Sequence, residues 1–141
     1  MPGHQIAQPR VLVVEDNPSD IYLLRLAFEQ AGLNCDFTAF EDGAAATAHI
    51  RQSGAESIPY HLIILDLNLP RRSGMEVLKE LRAHPAFSSV TVAILSSSSS
   101  PREQAAIQEF DNVHFFTKPP MLDEFLDLGS ELGKLFVTPP G

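Results

Sequence analysis

The stretch His61-Leu62-Ile63-Ile64-Leu65-Asp66 decides the fold. It is a solid run of β-prone apolar residues that stops at an acid. A strand with one wet face alternates apolar and polar residues. A run apolar at every position is a strand covered on both faces, as in a parallel sheet between two helix layers. The same pattern recurs on either side of it. Val11-Leu12-Val13-Val14 ends in Glu15-Asp16, Val90 to Leu95 ends in serines, and His114-Phe115-Phe116 ends at Thr117-Lys118. Cys35 to Phe40 is a weaker member of the set.

The segments between these runs read as helices. Ile21, Leu24, Ala27, Phe28 and Ala31 recur at helical spacing, with Gly32 as a C′ stop. Asn17 followed by Pro18 fits an N-cap with proline at the first helical position. Ser73 to Glu76 and Ser100 to Glu103 each fit a capping box, the second with Pro101 at the first helical position. Leu122, Phe125, Leu126, Leu132 and Phe136 mark a last helix, weakened by Gly129 and Gly133. The Ala-rich stretch from Asp42 to Arg51 is the weakest helical pattern, and Gln52 to Pro59 reads as a polar loop.

Five β–α units in succession predict a single α/β domain, a doubly wound parallel sheet with helices on both faces. That domain spans residues 10–136, with residues 1–9 and 137–141 as tails and no effector domain after it. At 141 residues, with 44% apolar and 20% charged residues, the chain can bury a real core. Its net charge of −8 speaks against nucleic-acid binding, which needs many basic residues to displace counterions, and against an anionic membrane surface. The single cysteine, Cys35, excludes an internal disulfide and a cysteine-based zinc site, and fits a reducing compartment. With no signal-peptide pattern and no long apolar run, the expected location is the cytoplasm. The scattered histidines lack metal-ligand spacing, so His61 and His114 read as strand-end residues.

Chemistry concentrates at the strand ends. In an open parallel sheet, ligands bind beyond the carboxyl ends of the strands. The first run delivers Glu15 and Asp16, the third Asp66, the fourth Ser96 and the fifth Lys118. Carboxylates brought this close repel one another unless a cation neutralises them. An oxygen-only set suits Mg²⁺, which keeps several waters and accepts a phosphate oxygen. A nearby lysine suits a phosphoryl oxygen, and a carboxylate so placed can act as a nucleophile and become an aspartyl phosphate.

Val14-Glu15-Asp16-Asn17, Leu65-Asp66-Leu67-Asn68-Leu69-Pro70, Leu95-Ser96 and Thr117-Lys118-Pro119 resemble the motifs of bacterial two-component response-regulator receiver domains. The resemblance covers residues 9 to 136 and implies a flavodoxin-like (βα)5 sheet of order 2-1-3-4-5. It implies Asp66 as phospho-acceptor, Asp16 as a direct Mg²⁺ ligand, Glu15 as a ligand mainly through water, and Asn68 offering its backbone carbonyl. Ser96, helped by the Ser97 N–H, would bind a phosphoryl oxygen that Lys118 also contacts. The Asn68 side chain and Ser98 would tune dephosphorylation. The peptide before Pro119 would be cis, and Phe115 would hold the position of an aromatic whose rotamer follows phosphorylation. Phenylalanine lacks the hydroxyl that many members carry there.

The resemblance further implies a sensor histidine kinase as phosphoryl donor, with output through protein contacts at the surface of the fourth helix, fifth strand and fifth helix. That output is either a downstream protein target or a homodimer. Leu128 and Leu135 lie off the main core stripe of the last helix, and read equally as a dimer patch or as the core boundary. The arginine pair after Pro70 and the polar stretch before Tyr60 are similar to small receivers paired with bacterial phytochromes. Two other functions fit parts of the pattern. A haloacid-dehalogenase-type phosphatase also uses an aspartyl phosphate and Mg²⁺. It needs a second Asp two residues after the nucleophile, where this chain has Asn68, which cannot exchange a proton in that role. A phosphorylation-independent docking receiver would not need the intact acids, Ser96 and Lys118.

Overall fold

The computed structural model describes residues 8–55, 60–97 and 100–136. The elements run β1 (Arg10–Val14), α1 (Pro18–Gln30), β2 (Asp36–Phe40), α2 (Gly43–Gln52), β3 (Leu62–Leu65), α3 (Gly74–Ala83), β4 (Val92–Ser96), α4 (Pro101–Ile107), β5 (Val113–Thr117) and α5 (Leu122–Gly133), closed by a 3₁₀ turn (Lys134–Phe136). All five strands are parallel, in the order β2-β1-β3-β4-β5. This is the doubly wound flavodoxin-like arrangement. β4 starts two residues later than its apolar pattern, because the Val90 N–H is held by the Phe87 carbonyl in the turn before it (3.3 Å).

Side chains of successive strand residues point to opposite faces, and this sorts the apolar runs into two cores. Leu12, Val14, Ile63, Leu65, Val92 and Ile94 pack with Ala46, Ile50, Val77, Leu78, Leu81 and Ile107, so α2, α3 and α4 cover one face. Val11, Val13, Leu62, Ile64, Ala93 and Leu95 pack with Leu24, Phe28, Phe125, Leu128 and Leu132, so α1 and α5 cover the other. Each fully buried Leu, Ile or Val contributes about 1.5–3 kcal/mol relative to exposure, which is why the central strands are apolar up to their carboxyl ends, where Ser96 closes β4.

The helix ends follow the sequence signals. The Asn17 side chain accepts from the Ser19 N–H (2.9 Å), and both capping boxes are closed. At the end of α1 the Leu33 N–H reaches the Phe28 carbonyl (2.9 Å) and the Gly32 N–H the Glu29 carbonyl (3.0 Å), a Schellman pair. Asp42 caps α2 by accepting from the Ala45 N–H (2.7 Å), which makes the weakest helical pattern a regular helix.

Contacts of α5 add to one reading of the sequence and decide between two others. Gly129 is a contact point, because a Cβ there would stand 2.0 Å from the Ala27 carbonyl oxygen, so its missing side chain is what lets α5 lie against α1. Leu128 is buried in the core shared by α1 and α5, and Leu135 packs against the same core. Of the two readings, burial favours the core boundary: Leu128 turns inward and Leu135 is half-buried beside it.

Candidate functional site

The strand register assembles the site before any side chain is placed. Val14 pairs with Leu65 and Ser96 with Thr117. The Asp66 N–H donates to the Val14 carbonyl (3.0 Å) and the Lys118 N–H to the Ser96 carbonyl (2.8 Å). The residues after β1, β3 and β5 therefore emerge on one edge of the sheet, with Ser96 at the end of β4. Gly74 brings the start of α3 against this edge. A Cβ there would stand 2.2 Å from the Asp66 carbonyl oxygen, and the Gly74 N–H holds the Leu67 carbonyl (2.9 Å).

Glu15, Asp16 and Asp66 each bring a carboxylate oxygen into a group whose members lie within 4.8 Å of one another. Glu15 (2% exposed) and Asp66 (6%) are buried, whereas Asp16 is exposed and opens the group to solvent. Asp66 Oδ1 accepts from the Asn68 N–H (3.0 Å), and Glu15 Oε2 from the Asn17 N–H (3.1 Å). The Asn68 side-chain amide donates to the Ser96 hydroxyl (3.4 Å), and Ser96 is fully buried.

Lys118 supplies the balancing charge. Its Nζ lies 2.6 Å from Glu15 Oε1, 2.8 Å from Asp20 Oδ2 and 3.1 Å from Asp66 Oδ2. Burial pushes the Glu15 carboxyl up to about 7, with the Asp66 charge adding to the rise and the Lys118 hydrogen bond opposing it. Burial also works against the Lys118 charge, but hydrogen bonds to Asp20 and Glu15 and the charges of Glu15 and Asp66 outweigh it, so the ammonium is held above its usual range. One lysine cannot neutralise this many carboxylates, and Glu15 carries the deficit. An all-oxygen donor set, partly buried, open on one side and short of positive charge, fits a hard divalent cation.

The structure thus brings Glu15, Asp16, Asp66, Asn68, Ser96 and Lys118 together. Ser97 is exposed beside Ser96, and Phe115 is half-buried against the α2–α3–α4 core. Ser98 lies outside the described residues. The cis expectation at Pro119 is corrected: no described peptide is cis. Lys118 is fixed by its own N–H and Nζ, both on the N-terminal side of the prolyl amide. The trans form is the ordinary preference of a prolyl amide, by about 0.5–1 kcal/mol. His61 is a strand-end group as expected, its Nδ1 accepting from the Arg10 N–H (3.0 Å).

The sequence reading missed Asp20. It sits in the first turn of α1, where an acid is ordinarily explained by the helix dipole. Its signal was spacing alone, one helical turn past the Asn17 cap. A concavity of about 530 Å³ opens beside it, lined by Leu23, Pro119, Met121, Leu122 and Phe125 as well as Lys118.

Comparison with known proteins gives a consistent set of relatives. Residues 11–128 match the model of the response regulator receiver domain. Response regulator Rcp1 of Synechocystis sp. is 33% identical over 110 residues, 77% of this chain and 75% of that protein. The chain spans only part of the length of other curated relatives it matches. The crystal structure of the phosphorylated cyanobacterial phytochrome response regulator RcpA superposes with a TM-score of 0.81 at 29% identity, covering 94% of this chain and 96% of that one. The Mn²⁺-bound form of Rcp1 superposes equally well (TM-score 0.81, 29% identity, 94% and 99% coverage).

Proposed function

The chain belongs to the response-regulator receiver domain family, and from that premise we propose that it is a Mg²⁺-dependent phosphorylation switch whose acceptor is Asp66. One observation carries the reading: the carboxylates of Glu15, Asp16 and Asp66 converge, with the Lys118 ammonium on Asp66 itself. A phosphohistidine of a sensor kinase is the donor. An Asp66 carboxylate oxygen attacks phosphorus, the P–N bond breaks, and its electron pair stays on the departing imidazole nitrogen. Asp16, Asp66, the Asn68 carbonyl and, through water, Glu15 would hold Mg²⁺, which would supply neutralising charge to the acids and to the phosphoryl group. Lys118 moves one of its N–H groups from the Asp66 carboxylate to the phosphoryl group. Ser96 and the Ser97 N–H bind another phosphoryl oxygen, while the Asn68 side chain and, by the family resemblance, Ser98 tune the rate of dephosphorylation. The protein positions and neutralises, which is most of what phosphoryl transfer requires.

The new charge draws Ser96 and Lys118 inward and biases a two-state equilibrium of the α4–β5–α5 surface, with Phe115 following. That surface is read by a downstream protein or a second copy. Relatives described as phytochrome response regulators support a bacteriophytochrome-type kinase as partner. No helix among the described residues is long and apolar enough to cross a membrane.

The test is transfer of a labelled phosphoryl group from an autophosphorylated bacteriophytochrome kinase. Label should move to the chain in Mg²⁺ and stay on the kinase in EDTA. Rapid multi-turnover hydrolysis of small phosphate monoesters would instead mark a phosphatase. No transfer from that kinase or any other would mark a phosphorylation-independent docking module.

A further inference from the structure

Lys118 and a bound cation need the same oxygens. The ammonium lies 2.6 Å from Glu15 and 3.1 Å from Asp66, both members of the metal-competent group. An ion entering that group must displace the lysine from part of its coordination, at a Coulombic cost that grows as the site is buried. Asp20 is the third partner, at 2.8 Å, and it is not a member of the group. It sits on α1 and reaches the lysine from the side of the adjoining concavity.

We propose that Asp20 is a positioning residue that holds the Lys118 ammonium when the cation takes Glu15 and Asp66, and thereby sets the divalent-cation affinity of the site. The residue keeps Nζ paired throughout, so handing two carboxylates to the ion never leaves a buried ammonium alone. It also keeps Nζ within one side-chain swing of Asp66, where a phosphoryl oxygen arrives. Its own negative charge favours the cation in the same direction, so both effects weaken binding when the carboxylate is lost. The inference rests on the metal-dependent reading given above.

The experiment is calorimetric titration of the full chain with MgCl₂, comparing the wild type with Asp20→Asn, Asp20→Ser and Asp20→Glu, each checked for folding by circular dichroism. The expected result is a Mg²⁺ Kd about five- to tenfold higher in Asp20→Asn and Asp20→Ser, with Asp20→Glu restoring much of the loss. Acetyl-phosphate labelling of the same variants should slow at limiting Mg²⁺ and return to within about twofold of wild type at saturating Mg²⁺, as loss of ion binding alone requires. If Asp20→Asn cannot fold, Asp20→Ser carries the comparison. Unchanged or tighter Mg²⁺ binding in the neutral variants overturns the role of Asp20 while leaving the metal site intact. A wild-type chain that gives no Mg²⁺ binding overturns the metal reading itself, and this inference with it.

Discussion

Nζ of Lys118 and Oε1 of Glu15 stand 2.6 Å apart, although the strands that deliver them, β5 and β1, are separated in the sheet by β3 and β4. The ion pair spans the sheet edge and closes over Asp66 between them. Lys118 is therefore a structural counter-charge in its own right, apart from the phosphoryl contact proposed for it. Lys118→Ala should destabilise the metal-free protein by about 3 kcal/mol in urea unfolding, the scale for removing one partner of a buried ion pair. Saturating Mg²⁺ should recover most of that loss, because a cation can neutralise the same acids. Equal losses with and without Mg²⁺ would contradict this.

The raised Glu15 carboxyl gives the metal-free protein a pH signature. Between the ordinary value of 4.5 and about 7, the folded state holds a proton that the unfolded state has released. Stability from this group is thus fully present below pH 4.5 and is lost as pH rises through 7. Glu15→Gln should flatten that slope in urea titrations across the window. Cation binding must expel the same proton, so Mg²⁺ affinity in the wild type should fall as pH drops below 7.

The Ser96 hydroxyl is buried and in contact with the Asn68 amide, and its proposed role is to bind a phosphoryl oxygen. Ser96→Ala should lower the steady-state yield of phosphorylated protein about fivefold, the worth of roughly one hydrogen bond, with Mg²⁺ binding unchanged. Ser96→Thr should keep the yield near wild type. Intact-mass measurement of the phosphorylated fraction checks both.

Gly129→Ala places a methyl 2.0 Å from the Ala27 carbonyl oxygen, where backbone cannot give way cheaply. The substitution should separate α5 from α1 and cost about 3 kcal/mol in urea unfolding, the upper range for overpacking. An alanine variant as stable as wild type would mean that the helices are not in this contact.

The fold and most of the site were legible in the sequence for one reason. A central parallel strand must be apolar at every position, so the first polar residue after it marks the sheet edge where ligands bind. Val11–Val14 and Leu62–Leu65 expose Glu15, Asp16 and Asp66 to that reading directly. The caps at Asn17, Ser73 and Ser100 are local hydrogen bonds that a few adjacent residues specify. Asp20 was illegible because its partner arrives from the far end of the chain, while its own neighbourhood already explains an acid. The contact at Gly129 and the choice between the two readings of Leu128 were not legible, because helix propensity and helical spacing do not report which neighbour a helix meets. The isomer before Pro119 was carried by the family resemblance and not by these residues.

The central claim is that the sheet delivers one nucleophilic carboxylate, Asp66, into a cation-dependent phosphoryl site. Intact-mass analysis after incubation with acetyl phosphate tests it most directly. The prediction is a single phosphoryl adduct in Mg²⁺ that is lost in EDTA and in Asp66→Asn. An adduct that persists in Asp66→Asn, or forms equally without a divalent cation, would contradict it.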